Sequence, residues 1–326
     1  MFYNLRRQLS RRYNSLAYRI DARQLTRTFD RIGLESGMTV CAHSALSQLG
    51  YVAGGPDLIV DALMERIGEG GCLMMPSYPT GLAMAQYLDS GEVFDARLSP
   101  SKVGVITELF RRRPGVHRSL HPTNPVCAWG RGAEELLCDH DKSLLPYGYE
   151  TPFGRLSGRD DAYILMLNTH VHSYLHHLQV RVDQPNLHLA EERTALLIDG
   201  EGRQRQMRTK VMRPRVPYFV AIPAAGDSGP DWAVLHDFAL LFPQSQERAA
   251  KEAGYRYAGY PKILHRRAEF ERDGIFRSTR LGKGEVGLLK VKEFTARLEP
   301  EFRELIDRFR SHYDPDKIAA LDLPYT

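Results

Sequence analysis

The chain has 326 residues, of which 43% are hydrophobic and 26% charged, and its formal net charge at pH 7 is +4. This balance predicts one or two folded domains with a substantial buried core and excludes a largely disordered protein. No apolar run approaches the roughly 18 residues that a membrane span requires, and a mild charge without nucleic-acid motifs argues against a nucleic-acid partner.

Cysteine use and the N-terminus indicate the cellular compartment. The cysteines are Cys41, Cys72, Cys127 and Cys138, and none forms a C-x-x-C pair. Such isolated cysteines are typical of free thiols in a reducing compartment. The N-terminus has arginines but no apolar segment, so we expect no signal peptide. The sequence therefore predicts a cytoplasmic protein.

The first twenty residues form a basic segment that also carries aromatic and apolar side chains. This pattern predicts an extension over residues 1–20, separate from the folded core. Two interpretations stay open: a solvated helical extension that packs on the body or on a second subunit, and a segment that lies on an anionic surface. The first would supply the contact of a homodimer.

Helix-like and strand-like patterns alternate after residue 20. Residues Asp21–Ile32 are predicted to form a helix because Leu25, Phe29 and Ile32 recur at helical spacing. The further predicted strands are Thr39–His43, Cys72–Pro76, Ala162–Leu167 and Tyr218–Ile222, and the further helices are Leu58–Ile67, Val105–Arg113, Ala133–Cys138 and Phe294–Tyr313. The alternation predicts an α/β fold, a layered sheet with helices on both faces.

The pattern becomes richer in strands near residue 183. Asp199-Gly200 predicts a hairpin turn, since this dipeptide accepts the positive φ of a tight turn. The strand that follows carries six basic residues: Arg203, Arg205, Arg208, Lys210, Arg213 and Arg215. We expect a smaller β-rich subdomain over residues 183–290, and then a C-terminal helix within 291–326 that packs on the core.

Three motifs follow one another in the N-terminal half. The first is Thr39-Val-Cys-Ala-His-Ser-Ala-Leu-Ser-Gln-Leu-Gly50 with Gly54-Gly-Pro-Asp57, the second is Phe94-Asp-Ala-Arg-Leu-Ser-Pro-Ser-Lys-Val-Gly104, and the third is Pro114-Gly-Val-His-Arg-Ser-Leu-His-Pro-Thr-Asn124 with Ala128-Trp-Gly130. A strand end that leads into a helix N-terminus exposes N–H groups, which suit phosphates and developing oxyanions.

In this order, from about Leu25 to Leu167, the motifs resemble the aminoglycoside 3-N-acetyltransferase family. Its marks are a His-Ser-Ser-Leu-Ser-like turn before Gly-Gly, a Thr-Pro-Ser-x-Met-Gly-like turn and an Arg-Ser-x-His-Pro-x-x-Ser run. The resemblance implies acetyl transfer from acetyl-CoA to an amine on an α/β layered sheet. It assigns residues 21–182 to the acetyl-CoA-binding core and residues 183–290 to the acceptor site.

The resemblance also implies a catalytic histidine in a His-x-x-Glu unit, whose carboxylate orients the imidazole on one helix face. Two histidines are candidates. His176 lies nine residues after the strand end at Leu167, whereas His188, which with Glu191 copies the family letters, lies 21 residues after it. We prefer His176 as the base because its spacing and the following Val182-Asp-Gln-Pro185 fit the layout of the family.

This choice places Gln179 where the family has its glutamate. A glutamine can hold the ring through its carbonyl, but it brings no charge that favours the imidazolium. Either the base is weaker, or another acid such as Glu150 or Asp183 replaces the missing carboxylate.

For acetyl-CoA, the resemblance implies contacts from two turns and one arginine. The residues are His43, Ser44, Ala45, Leu46 and Ser47 in the first turn, and Ser99, Ser101 and Val103 in the second. Arg118 is a candidate phosphate ligand, since a guanidinium pairs with phosphate through two hydrogen bonds; a surface salt bridge is the alternative. His121 is expected to brace the CoA site or a turn, and Pro125 stands where the family has a serine.

The acceptor is expected to be an amino sugar with acidic groups. A basic strand over residues 203–215 that faces the cleft would repel a polycation and attract an anion. The predicted activity is therefore that of an amino-sugar N-acetyltransferase of surface-polysaccharide or secondary metabolism.

Two other classes remain open. A metal-dependent hydrolase would use His170 and His172 with His176 or His177, because closely spaced imidazoles can meet at one zinc ion. A CoA-binding relative with lapsed catalysis is suggested by Gln179 and Pro125.

Overall fold

A computed structural model describes residues 17–46, 49–169, 172–184, 187–212, 218–220, 233–235 and 267–312. The strands are β1 (Arg19–Ile20), β2 (Thr39–Ser44), β3 (Tyr51–Val52), β4 (Cys72–Pro76), β5 (Phe94–Asp95), β6 (His117–Arg118), β7 (Val126–Gly130), β8 (Ala162–Leu167), β9 (His188–Ile198), β10 (Gln204–Met212), β11 (Tyr218–Val220), β12 (Ala233–Leu235), β13 (Phe276–Leu281) and β14 (Gly284–Lys290). The helices are α1 (Ala22–Ile32), α2 (Asp57–Ile67), α3 (Met84–Asp89), α4 (Val105–Arg111), α5 (Ala133–Leu137), α6 (Pro152–Ser157), α7 (Tyr174–Arg181), α8 (Arg267–Arg272) and α9 (Val291–His312).

A seven-stranded mixed sheet in the order β13-β14-β8-β2-β4-β7-β6 forms the centre of the fold. Strand β2 runs parallel to both of its neighbours, with Thr39 opposite Ala162 of β8 and Cys72 of β4. The strands on either side of this parallel trio are antiparallel to it. The apolar runs of the three central strands suit this position, because central strands covered on both faces are apolar throughout.

Side chains alternate along the central strands, so that the sheet separates two apolar cores. Val40 joins the core that helices α1, α2 and α4 cover, whereas Cys41 joins the core beneath α5, α6, α7 and α9. Helix α1 shows the local signals clearly. Asp21 caps its first turn and Gly33 ends it at a φ of 73°, a conformation that glycine adopts without a Cβ clash.

A smaller three-stranded sheet, in the order β10-β9-β5, accompanies the main one. The hairpin of β9 and β10 turns at Asp199, as predicted, and β5 pairs in parallel with the end of β9. The expected α/β layered sheet with helices on both faces and a smaller β-rich unit is therefore confirmed.

At two places the predicted domain boundaries differ from the division of the strands between the two sheets. Residues 276–290, assigned to the β-rich subdomain, form β13 and β14 of the main sheet, because β14 pairs with β8. At the N-terminus, residues 1–16 lie outside the described residues, whereas Arg19 and Ile20 of the predicted extension pair with Tyr51 and Val52. Ile20 is fully buried and belongs to the core, whereas Arg19 is exposed.

The predicted element bounds are close to the observed ones. Strands Cys72–Pro76 and Ala162–Leu167 agree fully, and the C-terminal helix begins at Val291, three residues earlier than predicted. Within the described ranges, no helix combines the length and the apolar character needed to cross a membrane.

Candidate functional site

The carboxyl ends of three parallel strands lie side by side in the main sheet, because β8, β2 and β4 are neighbours with one direction. Ser44 ends β2, Tyr78 follows β4, and Asn168 follows β8. Ligand sites of open α/β sheets form outside the carboxyl ends of the strands. This edge is therefore the candidate functional site, and α7 begins next to it.

His176 and Gln179 lie one turn apart on α7 and contact each other. The His176 ring is half-buried and Gln179 is fully buried, with 2.7 Å between His176 Nδ1 and Gln179 Oε1. An amide oxygen only accepts hydrogen bonds, so the imidazole donates its Nδ1–H and the neutral ring keeps a lone pair on Nε2. Gln179 thus orients the ring and selects its tautomer without contributing a charge.

His188, the alternative base, lies on a strand rather than on a helix. Three residues apart on β9, His188 and Glu191 point to opposite faces. Glu191 pairs instead with Arg193, at 2.9 Å. Burial, together with the nearby charges of Lys210 and His176, lowers the pKa of His188 to about 4, which makes it a weak base at neutral pH. The letters His-x-x-Glu therefore form no dyad here.

His43, a predicted CoA contact, makes a different contact in the structure. Its Nε2 accepts the backbone N–H of Ser173, at 3.0 Å. Burial lowers the pKa of His43 to about 4, so the ring is neutral near pH 7 and can act as this acceptor. Nε2 is therefore engaged within the protein, and the contact of His43 with CoA stays a prediction.

The rest of the first turn lies at the end of β2. Ala45 is held between β2 and β8: its N–H donates to Leu167 and its carbonyl accepts from the Asn168 side chain, at 2.9 and 3.3 Å. Ser44 and Leu46 flank it and are half-buried. Ser47 lies outside the described residues.

The second turn lies beside the end of β4. Lys102 donates its backbone N–H to the carbonyl of Tyr78, at 2.8 Å. The Ser99 hydroxyl accepts the N–H of Asp95 and so closes the turn itself. Ser101 is buried, and its Oγ has no hydrogen-bond partner among the described residues, whereas Val103 is half-buried. An orphaned buried hydroxyl at the expected position fits a CoA-binding turn, and Ser101 is the residue that would hold the cosubstrate here.

Arg118 braces the second turn from within. Its two terminal nitrogens donate to the carbonyls of Ser77 and Ser99, and its guanidinium lies 4.7 Å above the centre of the Phe94 ring. Burial lowers the pKa of Arg118 to about 10, so the side chain remains charged at neutral pH. These two hydrogen bonds join the end of β4 to the turn, and the contact of Arg118 with a phosphate stays a prediction.

His121 has the bracing position expected for it. Its Nδ1 accepts the backbone N–H groups of Thr123 and Asn124, at 3.2 and 3.0 Å. Its Nε2 lies 3.5 Å from Thr209 Oγ1 on β10, and its ring centre lies 4.7 Å from that of His140. Burial and His140 lower the pKa of His121 well below its ordinary value, which keeps Nδ1 an acceptor.

Four further polar residues link the loops of the site. None of them was among the predicted site residues. Asn124 donates to the Tyr147 hydroxyl at 2.8 Å, the hydroxyls of Tyr147 and Tyr78 lie 3.0 Å apart, and Tyr78 donates to Ser173 Oγ at 2.8 Å. The Tyr147 ring also lies 4.9 Å from the His176 ring. Tyr78 had one available signal, since it lies two residues after the buried parallel strand β4, whereas Tyr147 had none.

The remaining histidines do not form a metal site in the described part of the chain. No group of three or more His, Cys, Asp or Glu side chains is placed there to hold an ion. His172 is buried beside His43, and His177 donates its Nδ1–H to the Tyr147 carbonyl at 2.8 Å. His170, which the metal alternative requires, lies outside the described residues.

The basic strand is largely compensated by carboxylates. Arg203 and Arg205 both donate to Asp199, and Arg208 pairs with Glu192 across the hairpin. Lys210 is half-buried, and its charge helps to lower the pKa of His188. Arg213 and Arg215 lie outside the described residues. The described part of the strand therefore attracts an anionic acceptor less strongly than its basic residues alone would.

Comparison with known proteins identifies the family. A family model described as aminoglycoside 3-N-acetyltransferase matches residues 41–302, so the chain belongs to this family of acetyl-CoA-using acyltransferases. The chain is 31% identical over 193 residues to aminoglycoside N(3)-acetyltransferase VII of Streptomyces paromomycinus, an alignment that spans 55% of this chain and 66% of the relative. It is 28% identical to aminoglycoside N(3)-acetyltransferase VIII of Streptomyces fradiae, over 61% of this chain and 74% of the relative.

Solved structures of similar fold support the architecture. The complex of AAC-IIIb with CoASH aligns with a TM-score of 0.62 and 21% identity, covering 89% of this chain and 98% of that one. AAC-VIa bound to sisomicin aligns with a TM-score of 0.61 and 21% identity, covering 90% and 99%. At this identity the likeness establishes the fold alone.

Proposed function

We propose that this chain transfers the acetyl group of acetyl-CoA to the amine of an amino sugar, with His176 as the general base. The observation that carries the proposal is the 2.7 Å contact between His176 Nδ1 and Gln179 Oε1 at the carboxyl edge of the sheet. Family membership over residues 41–302 supports the reaction class. The cytoplasmic location and the homodimer contact stay predictions from the sequence.

His176 Nε2 has the role of proton acceptor in this mechanism. Since Nδ1–H is held by Gln179, the lone pair on Nε2 can take a proton from the attacking amine. Acetyl-CoA supplies the acetyl group and a thiolate leaving group, and Ser101 is the residue proposed to hold it. The imidazolium that forms faces an amide oxygen instead of a carboxylate, so its stabilisation by the dyad is weaker than in a His-Glu pair.

The test is acetyl transfer over a panel of amines that includes sugar nucleotides and kanamycin-type aminoglycosides. We expect turnover with an amino sugar, and His176→Ala should lower kcat by about 10² to 10⁴, the usual contribution of a general base. His188→Ala is the matched control and should lose far less. A loss in His188→Ala with a retained rate in His176→Ala would contradict the assignment of the base.

The same panel separates the remaining alternatives. Saturable acetylation of kanamycin-type substrates, with none of sugar nucleotides, would exclude the predicted acidic acceptor. Binding of acetyl-CoA by calorimetry without transfer to any amine would support a relative with lapsed catalysis. Stoichiometric zinc in the purified protein would favour the metal hydrolase instead.

A further inference from the structure

Ser173, the residue at the start of α7, is held by two strands at once. Its backbone N–H donates to His43 Nε2 at the end of β2, and its hydroxyl accepts from Tyr78 after β4. These two strands are adjacent and parallel in the sheet. Ser173 and His176 are three residues apart, so they share one face of the helix.

The hydrogen bonds that lead to Ser173 all run in one direction, with each donor on the side of Asn124. The NH2 group of the Asn124 side chain can only donate, so the Tyr147 oxygen accepts its N–H. Tyr147 then donates to the Tyr78 oxygen, and Tyr78 donates to Ser173. Burial raises the pKa values of both phenols, to about 12 for Tyr147, so each keeps the proton that the chain of bonds requires.

The same network contacts the proposed base directly. The Tyr147 ring packs against the His176 ring, with 4.9 Å between the ring centres. The Tyr147 carbonyl accepts the Nδ1–H of His177, the next residue on α7. Groups from other parts of the chain therefore hold both ends of the first helical turn.

We propose that His43 and Tyr78 are positioning residues, which act through Ser173 to set the place of His176 at the carboxyl edge of the sheet. The inference rests on the proposed function for its kinetic consequences, but the geometry is independent of the acceptor. The CoA contact that the resemblance implied for His43 stays a separate prediction, which the second experiment tests.

The first experiment removes the hydrogen bond between Tyr78 and the Ser173 hydroxyl, once by changing the donor and once by changing the acceptor. Tyr78→Phe and Ser173→Ala should each lower kcat by about tenfold, since small displacements of a catalytic group are costly. The KM for acetyl-CoA should stay within about twofold, and Ser173→Thr, which keeps the hydroxyl, should restore kcat. The double variant should lose no more than Tyr78→Phe alone, because that change already removes the hydrogen bond to the Ser173 hydroxyl. Tyr163→Phe on β8 is the matched control and should behave like the wild type.

The second experiment distinguishes a positioning role of His43 from a role in binding CoA. His43→Gln places a side-chain carbonyl, a hydrogen-bond acceptor, near the Ser173 N–H, whereas His43→Ala does not. We expect His43→Gln to retain more of kcat than His43→Ala. If both variants instead raise the KM for acetyl-CoA about tenfold or more and leave kcat unchanged, His43 is a CoA ligand and the proposal is wrong.

The third measurement needs no turnover, so it tests the positioning proposal even if the proposed function is wrong. The ring-proton resonance of His176, identified by its loss in His176→Ala, senses the Tyr147 ring nearby. It should shift in Tyr78→Phe and in Ser173→Ala but not in Tyr163→Phe. An unchanged resonance in both network variants would overturn the proposal, even for a wild-type protein that acetylates no amine on the panel.

Discussion

The edge of the main sheet and the hairpin of the small sheet are both rich in polar side chains, but they use them differently. At the main edge, neutral groups that are buried or half-buried make hydrogen bonds within the protein: His121, Asn124, Tyr147, Tyr78 and His43. On the hairpin, arginines whose side chains are 48–73% exposed pair with carboxylates. The first arrangement depends on individual atoms, and the second mainly on charge.

This difference has an energetic basis. A buried donor that loses its acceptor costs about 1–3 kcal/mol, since water cannot replace the partner. An exposed ion pair contributes about 0–1 kcal/mol and is screened by salt. The carboxyl edge should therefore be sensitive to single substitutions and to protonation, whereas the exposed Arg208–Glu192 pair on the hairpin should tolerate both.

The largest expected effect is loss of stability in mild acid. Burial lowers the pKa values of His43, His177 and His188 to about 4 and those of His140 and His172 to about 3, against an ordinary value of 6.5. The unfolded chain binds these protons first, so stability is complete above pH 6.5 and falls as the pH drops towards 4. Each such group contributes up to about 1.4 kcal/mol per pH unit.

Urea unfolding between pH 8 and 4 measures this slope. The hairpin contributes in a different window, because hydrogen bonds to Asp199 hold its pKa below the ordinary value of 3.8. The stability supplied by Asp199 is lost only below pH 3.8. Equal unfolding midpoints at pH 7 and pH 5 would contradict the view that the buried histidines dominate the acid response.

The next effect is that of removing one buried acceptor. His121→Leu leaves the N–H groups of Thr123 and Asn124 without an acceptor, and two such losses amount to about 2–6 kcal/mol. Urea unfolding at pH 8 measures the difference. His117→Leu is the matched control: the His117 side chain is half exposed, and the same chemical change should cost less than about 0.5 kcal/mol there.

A smaller effect is expected from restoring the family's carboxylate. Gln179→Glu places a negative charge beside His176 Nδ1, which favours the imidazolium. The acidic limb of the pH–rate profile should move to higher pH by about one unit or more, with the fold retained. Gln206→Glu, on the exposed side of β10, is the control and should leave the limb in place. An unchanged acidic limb in Gln179→Glu would mean that residue 179 does not influence the pKa of the catalytic base.

The smallest effect is expected on the hairpin. Arg208→Gln removes the pair with Glu192, but the Arg208 side chain is 73% exposed. The free energy of unfolding should change by less than about 1 kcal/mol, and this difference should shrink further in 1 M salt. A loss above 2 kcal/mol would mean that the hairpin charges carry more stability than their exposure allows.

Local patterns in the sequence were sufficient for most of the fold. The apolar run Cys72–Pro76 and the helical spacing of Leu25, Phe29 and Ile32 depend on near neighbours, and both predictions are confirmed. The place of residues 276–290 was missed because strand pairing depends on distant partners. Nothing near Val286 in the sequence indicates that it pairs with Leu167.

Only part of the geometry of the candidate site could be predicted from the sequence, and the roles of its residues stay predictions. Resemblance led to His176 and Gln179, whose contact is present, but it could not reveal that His43 and Arg118 are engaged by Ser173, Ser77 and Ser99. Those partners come from other loops, and only the folded chain brings them together.

The position of β14 also bears on how the chain folds during synthesis. Strand β8 emerges from the ribosome long before β14, its neighbour in the final sheet. Until then, the backbone groups along that side of β8 lack their strand partner, and exposed edges of this kind invite pairing between chains. Nascent chains stopped before residue 276 should therefore require chaperone protection, and the sheet can be completed only near the end of translation.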